Sequence, residues 1–244
     1  MSKTIDKYGK IPYLSISKKQ SPDDVICYPE DEIRATTKEN FGDLVTVTQK
    51  FDGLNVGVAK VSGQILAIDR YGCTIDPSDI VFDNYDDEEK RRFALWVKNN
   101  EDKFIKLLNN GCVAHGEWLD RAHGTMYILP FSDPFIVFDI CYTNSIFVNQ
   151  LSLVQTCHCC GINGPHILHI GGAISVDKIE KNLLNNDICS AKPFPEGAVW
   201  CIENYYWESP PLWCHRKKVK HQIDGYQEDL YLNIGYIQNG TEMR

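Results

Sequence analysis

The sequence of 244 residues has no long apolar run and no strong bias in composition. No stretch of about 18 apolar residues is present, so we expect no transmembrane helix. The lysines near the first methionine are not followed by an apolar stretch, which argues against a secretory signal. Hydrophobic residues make up 43% and charged residues 24% of the chain. Together with the lack of repeats and low-complexity tracts, this composition excludes disordered, collagen-like and coiled-coil proteins.

Basic residues are fewer than acidic ones, 25 against 33, which gives a net charge of −8. This excess of acid argues against indiscriminate binding to nucleic acid, although a local basic groove remains compatible with it. Arg216, Lys217, Lys218 and Lys220 lie together with no acid among them. On a strand, Arg216, Lys218 and Lys220 would share one face, which indicates an anion site. The alternative is an edge strand that lysines protect from pairing.

The ten cysteines are irregularly spaced, and four of them lie in apolar strand-like runs. A chain of this length can bury a core without disulfide bonds, and no secretory signal is visible. We therefore predict free thiols and a reducing intracellular compartment, either cytoplasm or nucleus.

Alternating apolar and polar residues predict many short strands and a few helices. The runs 44–50, 55–60 and 64–69 are separated by the turn signals Asp52-Gly53 and Ser62-Gly63, and they predict an antiparallel meander. Further strands are predicted at 112–118, 135–140, 197–202 and 213–220. Helices are predicted at 86–109, 149–160 and 176–185, and residues 1–43 are expected to form extended segments and loops. This pattern predicts an α+β fold with antiparallel β-sheets flanked by helices.

The segment Lys50-Phe51-Asp52-Gly53 is the first indication of chemistry. A lysine at the end of a strand can act as a nucleophile once its amine loses a proton, and neighbouring cations or a metal lower its pKa. However, Asp-Gly is also a common hairpin turn. The segment alone leaves both interpretations open.

Five further segments follow Lys50 in order. They contain Arg70, Gly116-Glu117, Phe138 within the run 135–139, Glu196-Gly197, and Lys218-Val219-Lys220. The series, over roughly residues 44–220, resembles the nucleotidyltransferase motifs shared by ATP-dependent ligases and mRNA capping enzymes.

Details of the series are similar to the RNA ligase 2-like group of phage enzymes and kinetoplastid editing ligases. Asn55 stands two residues after Gly53, where DNA ligases usually carry arginine. The N-terminal run 8–15 and the segments Gly161-Ile162 and Pro165-His166-Ile167 also resemble that group.

The resemblance implies a nucleotidyltransferase adenylation domain with an ATP-grasp-like ligase core. We expect one domain over 1–244, with 1–43 as an N-terminal segment packed on it. Only 24 residues, 221–244, follow Lys220. An OB-fold needs about 70, so we expect none within this chain. The implied activity is that of an ATP-dependent RNA ligase, which joins 5′-phosphate and 3′-hydroxyl ends through a lysyl-AMP and an adenylated RNA end.

The same resemblance implies roles for individual side chains. Lys50 would attack the α-phosphate of ATP, and Lys218 and Lys220 would neutralise charge on that phosphate. Glu117 would bind a ribose hydroxyl, and Phe138 would stack on adenine.

Hard oxygen ligands complete the expected site. Asp52 and Glu196 would hold Mg²⁺ or Mn²⁺, directly or through water. The expected nucleotide-binding residues are Gln49, Lys50, Asn55, Arg70, Glu117, Phe138, Glu196, Lys218 and Lys220.

Other interpretations stay open at this point. A capping guanylyltransferase or a DNA ligase core would use a similar lysine, and a non-catalytic nucleic-acid-binding module would keep the scaffold. A zinc deaminase would use His115-Gly116-Glu117 with the segment 157–160, although their spacing of about 40 residues is long for that class. The same cysteines with His166 and His169 would suit a structural zinc site, or else are buried thiols on a helix. No protein partner is indicated.

Overall fold

The computed structural model of the protein describes residues 5, 7–17, 21–80, 85–129, 133–143, 146–185, 190–204, 213–214, 216–228, 230–231 and 238–241. Within these residues there are five helices: α1 (Pro29–Thr36), α2 (Tyr85–Asn99), α3 (Glu101–Leu107), α4 (Gln150–Cys159) and α5 (Val176–Asn185). The strands are β1 (Asp43–Lys50), β2 (Leu54–Val61), β3 (Gln64–Asp69), β4 (Val113–Trp118), β5 (Ile128–Leu129), β6 (Phe135–Thr143), β7 (Ile146–Val148), β8 (Ile167–Gly171), β9 (Gly197–Asn204), β10 (Trp213–Cys214), β11 (Arg216–Gln222) and β12 (Gly240–Thr241).

Two antiparallel sheets form the body of the protein. The smaller has the strand order β11-β9-β1-β8, and the larger has the order β10-β7-β6-β4-β2-β3. A short parallel pair, β12 and β5, is separate from both. The predicted α+β class, with antiparallel sheets and flanking helices, is confirmed.

Each sheet packs an apolar face against helices. The larger sheet shares a buried cluster with α2, α3 and α4, in which Phe93, Phe104 and Leu153 are fully buried. The smaller sheet shares a second cluster with α5 and α1, where Ile179 and Ala35 contribute. The opposite faces of the two sheets meet each other and carry most of the polar residues singled out from the sequence. We call the space between these faces the inter-sheet cleft.

The predicted meander of the first three strands is wrong in its first connection. β2 and β3 form the expected hairpin, but β1 pairs with β8 and β9 in the smaller sheet. The segment Asp52-Gly53 therefore carries the chain from one sheet to the other instead of turning a hairpin. Gly53 is needed here for close approach, because a Cβ atom at this position would clash with the Trp118 carbonyl oxygen.

Two helix predictions need correction. The helix expected over 86–109 is broken at Asn100, whose backbone leaves the helical region between α2 and α3. A further helix, α1, lies in the segment expected to be irregular. Pro29 starts α1 and three acidic residues occupy its first turn, an arrangement that favours helix formation through a preset backbone angle and the helix dipole. Helix α5 agrees with its prediction.

The strand predicted at 213–220 is divided between the two sheets. β10 pairs with β7 in the larger sheet, whereas β11 pairs with β9 in the smaller one. The residue between them, His215, lies outside the described residues. The eight cysteines whose side chains the structure describes are all free thiols. In the same described part of the chain, no helix has the length and apolarity that crossing a membrane requires.

Candidate active site

Lys50 is the last residue of β1 and points into the inter-sheet cleft, where it forms an ion pair with Glu196. Glu196 immediately precedes β9, and its Oε1 also accepts a hydrogen bond from Gln222 Nε2 at 3.1 Å. Gly197 makes this close packing possible, since a Cβ atom there would collide with the His221 carbonyl oxygen. The end of β1 and the start of β9 thus hold a lysine and a glutamate in contact.

Further carboxylates surround this ion pair. Glu117 of β4 and Asp52 both interact electrostatically with Lys50 and with Glu196. Asn55 Nδ2 lies 3.4 Å from Glu117 Oε2, across the β2–β4 ladder. One half-buried lysine therefore faces three carboxylates, and this carboxylate cluster carries an excess of negative charge.

The excess of negative charge shifts the pKa values of the side chains in the carboxylate cluster. Burial, together with the neighbouring carboxylates, raises the pKa of Glu117 to about 8. Burial and Asp52 likewise raise the pKa of Glu196 to about 7, although Lys50 opposes the shift. Burial lowers the pKa of Lys50, but the charges of Glu196 and Glu117 outweigh this effect and raise it above its ordinary value. Lys50 is therefore fully protonated at neutral pH in the free protein.

The donor set of this cluster suits a hard divalent cation. Glu196 Oε2 is buried and has no hydrogen-bond partner among the described residues, which leaves a free carboxylate oxygen in an anionic environment. Asp52 differs, because its Oδ2 accepts the backbone N–H groups of Gly124 and Thr125 at 2.6 and 2.7 Å. No group of three or more metal-type ligands occurs in the described residues. Mg²⁺ commonly keeps several waters and uses one or two carboxylates, so Glu196 fits such an ion.

The basic strand β11 lines the same cleft. Lys220 lies opposite Val199 of β9, and its ammonium sits 4.0 Å from the centroid of the Tyr13 ring. Burial and the nearby charge of Lys50 lower the pKa of Lys220 to about 8. The edge of β11 is covered at this position, since Leu14 donates its N–H to the Lys220 carbonyl oxygen. Lys220 is therefore not at an open edge, although β11 is the outer strand of the smaller sheet.

The basic side chains of β11 alternate between the two faces of the smaller sheet, as the strand pattern predicts. Arg216 and Lys218 point into the cleft, where both contact Asp139 of β6. Lys217 points to the other side, where it pairs with Asp31 at 2.7 Å and is 51% exposed. Three cations thus share one face of β11, as the residue pattern indicates.

Asp139 is a functional candidate that the sequence analysis did not single out as a site residue. Its carboxylate is completely buried, accepts hydrogen bonds from the Tyr8 hydroxyl and from Lys218 Nζ at 2.8 and 2.9 Å, and pairs with Arg216. Burial would raise the pKa of Asp139, but Arg216 and Lys218 outweigh this and lower it. Gln150 Nε2 adds a contact at 3.2 Å. The only signal in the sequence is an acid inside an otherwise apolar strand.

Phe138 precedes Asp139 at a β-bulge, where the β4–β6 register shifts. Its ring is half-buried and meets the Tyr8 ring edge-on, with centroids 5.2 Å apart. The Lys218 ammonium lies 5.8 Å from the Phe138 centroid. Phe138 is therefore on the wall of the cleft near the basic strand, in a position that can offer a ring face to a flat ligand.

Two predicted nucleotide-binding residues, Gln49 and Arg70, lie outside the inter-sheet cleft. Gln49 is opposite Ala198 on the helix-facing side of β1, and its Oε1 contacts His166 Nδ1 at 2.9 Å. Arg70 is exposed just after the edge strand β3, with its guanidinium 4.8 Å from the Tyr71 ring centroid. A role for either side chain in nucleotide binding stays a prediction.

The residues considered for zinc are dispersed. Cys157 is buried in the core cluster of the larger sheet, whereas Cys159 is exposed at the end of α4. His166 contacts Gln49, and His169 contacts the Gly172 carbonyl oxygen at 3.0 Å. Among the described residues, these groups do not form a metal site.

The carboxylate cluster predicts a pH-dependent stability of the free protein. The pKa of Glu117 rises from an ordinary 4.5 to about 8 on folding, so its contribution to stability is present below pH 4.5 and is lost as pH rises through 8. Glu117→Gln should therefore stabilise the protein at pH 8 and have little effect near pH 5. Urea unfolding in EDTA at both pH values measures this difference. Glu101→Gln, at an exposed position of α3, is the control, and an equal effect of Glu117→Gln at both pH values would contradict the account.

The chain is similar to solved structures of RNA ligases. An archaeal ATP-dependent RNA ligase matches with 16% identity and a TM-score of 0.45, over 88% of this chain and 48% of that one. A Naegleria gruberi RNA ligase variant with AMP and Mn matches with 15% identity and a TM-score of 0.47, over 92% of this chain and 61% of that one. The chain thus spans less than two thirds of the length of either structure. No significant match was found among curated proteins.

A family model described as RNA ligase matches residues 43–208, well over half of the chain. The matched range begins with β1 and extends past β9, so it contains Lys50, Glu117, Asp139 and Glu196. The chain belongs to the RNA ligase family.

Proposed function

We propose that this protein is an ATP-dependent RNA ligase that joins 5′-phosphate and 3′-hydroxyl RNA ends through a covalent lysyl-AMP at Lys50. The observation that carries the proposal is the position of Lys50, which lies in the inter-sheet cleft between the carboxylate cluster and the Lys220 ammonium. Membership of the RNA ligase family supports RNA as the substrate.

The first step forms a bond between Lys50 Nζ and the α-phosphorus of ATP. The bond from that phosphorus to the bridging oxygen breaks, and pyrophosphate leaves with the electron pair. Lys50 must give up a proton to supply its lone pair. Because the neighbouring carboxylates keep Lys50 protonated in the free protein, their charge has to be offset before attack.

A divalent cation, Mg²⁺ or Mn²⁺, held at Glu196 would supply positive charge to the phosphate oxygens and offset the charge of the carboxylate cluster. Asp52 and Glu117 add to the field that attracts such an ion. Lys220 faces the same space and is suited to neutralise the non-bridging oxygens of the α-phosphate.

Two residues on the larger sheet are suited to hold the nucleoside. Glu117 is a carboxylate acceptor for a ribose hydroxyl, with Asn55 beside it. Phe138 can stack on adenine. In the second step, an oxygen of the RNA 5′-phosphate attacks the AMP phosphorus, and the bond from that phosphorus to Lys50 Nζ breaks. In the third step, a 3′-hydroxyl oxygen attacks the phosphorus of the RNA 5′-phosphate, and AMP leaves.

The proposal is tested by incubating the protein with α-labelled ATP or GTP and a divalent cation, and then adding RNA. We expect a protein label from ATP that is stable to alkali and labile to acid, as a phosphoramidate is, followed by transfer of the label to 5′-phosphorylated RNA and joining to a 3′-hydroxyl end. RNA with a 5′-hydroxyl end is the matched control and should remain unlabelled. Labelling by GTP alone would indicate a capping guanylyltransferase, and joining of DNA alone would indicate a DNA ligase. Either result would overturn the proposal.

Alanine variants of β11 compare the catalytic roles of the lysines on its two faces. Lys220→Ala should lower the rate of self-adenylation by about 10²- to 10³-fold, the usual cost of removing a group that stabilises transition-state charge. Its effect on stability should be small, because burial already disfavours the Lys220 ammonium. Lys217→Ala, on the opposite face, is the control and should react normally.

Lys218→Ala should differ from Lys220→Ala in stability. It removes a charged hydrogen-bond donor from buried Asp139, a loss of about 1.5–3 kcal/mol. Denaturant unfolding and the initial rate of label incorporation measure the two effects. If Lys220→Ala reacts as fast as Lys217→Ala, then the cation face of β11 has no catalytic role.

A further inference from the structure

The turn that follows Lys50 is held by a distant loop. Asp52 Oδ2 accepts the N–H groups of Gly124 and Thr125, and the Asp52 N–H donates to the Tyr127 hydroxyl at 2.9 Å. All three partners belong to residues 119–129, which we call the clasp loop. Both the side chain and the backbone of Asp52 are therefore fixed by one loop, two residues after Lys50.

One buried side chain near residue 240 makes several hydrogen bonds to the backbone of the clasp loop. Asn239 is 6% exposed, and its Nδ2 donates to the carbonyl oxygens of Leu119 and Arg121 at 2.8 and 3.0 Å. Its Oδ1 accepts the N–H of Tyr127 at 2.8 Å. The Asn239 N–H donates to the Asp120 carbonyl oxygen at 3.1 Å. One residue thus makes four hydrogen bonds to the backbone of the clasp loop.

Neighbouring residues reinforce this attachment. The Gly240 N–H donates to the Tyr127 carbonyl oxygen at 3.1 Å, and β12 continues along β5 as a parallel pair. The Tyr226 hydroxyl also forms a hydrogen bond with Asp52. Segments that are far apart in sequence therefore converge on the turn after Lys50.

We infer that Asn239 is a positioning residue for Lys50, acting through the clasp loop and Asp52. Asn239 belongs to none of the groups that surround the Lys50 amine, so its effect on the chemistry must be indirect. The connection is short: Asn239 binds Tyr127, the Tyr127 hydroxyl binds the Asp52 N–H, and Asp52 is two residues from Lys50. A displacement of about 1 Å in an attacking group can cost about 10²-fold in rate.

This inference rests on the proposed function and predicts an effect on one step of the reaction. Lys50 attacks only in self-adenylation, whereas joining of an RNA strand that already carries a 5′-adenylate does not use Lys50 as a nucleophile. A residue that positions Lys50 should therefore affect the first reaction far more than the second. A residue needed only for stability should affect both reactions equally.

The test uses Asn239→Asp in the full chain. The substitution keeps the shape and the Oδ1 acceptor, but it replaces the Nδ2 donor with an oxygen that repels the carbonyls of Leu119 and Arg121. We expect self-adenylation at saturating ATP to fall about 10- to 100-fold. The ATP concentration for half-maximal rate and the joining of pre-adenylated RNA should stay near wild-type values. Asn182→Asp is the matched control, because it also replaces an Nδ2 donor to a backbone carbonyl, that of Leu168, but on α5 and away from the clasp loop, and it should react as the wild type does.

Tyr127→Phe provides a second variant that retains the ring. It removes only the hydroxyl that accepts the Asp52 N–H, and it should reproduce the selective loss of self-adenylation. Equal losses of self-adenylation and joining in both variants, or normal self-adenylation in both, would overturn the inference.

Hydrogen exchange separates this inference from the proposed function. In Asn239→Asp, the amides of Asp52, Gly124 and Thr125 should exchange faster than in the wild type, whatever reaction the protein catalyses. Unchanged exchange at these amides would overturn the inference. Failure of the wild type to form any adduct would overturn the proposed function, and with it the catalytic consequence, while exchange would still decide whether Asn239 fixes the turn.

Discussion

Lys50→Arg is expected to abolish self-adenylation while preserving the fold. The guanidinium keeps the positive charge that pairs with Glu196, but it does not deprotonate in proteins and so cannot attack phosphorus. The variant should form no covalent adduct with ATP and should not join RNA with a plain 5′-phosphate. Joining of a pre-adenylated strand should persist, because that reaction does not use Lys50 as a nucleophile. Label incorporation and a gel assay of both RNA substrates measure these outcomes.

The matched control for Lys50→Arg is Lys60→Arg. Lys60 lies on β2 and donates hydrogen bonds to the carbonyl oxygens of Ile105 and Leu108, away from the carboxylate cluster. The Lys60→Arg variant should therefore react like the wild type. An adduct on Lys50→Arg at the wild-type rate would show that another residue is the nucleophile.

Asp139→Ala is expected to cause the largest loss of stability among single substitutions at this site. Removing a buried carboxylate leaves Arg216 and Lys218 as buried cations without their shared partner. Breaking a buried ion pair in this way costs about 3–5 kcal/mol. Adenylation should also fall, because Lys218 loses the contact that orients it. Denaturant unfolding at constant pH measures the loss of stability.

Asp133→Ala is a suitable control for Asp139→Ala. Asp133 also pairs with a lysine, Lys103, at 2.6 Å, but both side chains are partly exposed. Exposed pairs contribute about 0–1 kcal/mol, so this variant should be nearly as stable as the wild type. Similar losses in the two variants would contradict the account of Asp139 as a buried centre of charge.

Sequence patterns were sufficient to place the residues of the cleft that lie on regular strands. Alternation along β11 separates Lys217 from Lys218 and Lys220, and the observed contacts with Asp31 and Asp139 agree with it. Alternation along β1 also places the side chains of Gln49 and Lys50 on opposite faces of the smaller sheet. The assignment of Gln49 to the nucleotide site rests on the motif and does not take this alternation into account. Strand geometry is local, so it can be read from neighbouring residues.

The connection after Lys50 was not predictable in this way. Asp-Gly suggests a hairpin, whereas the structure uses Gly53 for close packing against Trp118 and Asp52 for binding the clasp loop. The partners of Asp52 lie more than 70 positions along the chain from it. No local pattern encodes such a contact, because it depends on how the two sheets meet.

The buried network at Asp139 was missed for the same reason. Its partners Tyr8, Lys218 and Arg216 come from both ends of the sequence and meet only after the sheets have packed. In the free protein the pKa of Lys50 lies above its ordinary value, because carboxylates from three separate segments surround the amine. These neighbours also meet only in the folded structure, so no local pattern indicates them.

The most direct test of the central claim is to identify the residue that carries the adenylate. The wild-type protein is incubated with ATP and Mg²⁺, digested, and examined by peptide mass spectrometry under conditions that preserve the phosphoramidate bond. The account predicts one AMP group, attached to Lys50 in the peptide that contains the Asp52-Gly53 turn. An AMP group on another residue, or no covalent AMP in a protein that nevertheless joins RNA, would contradict it.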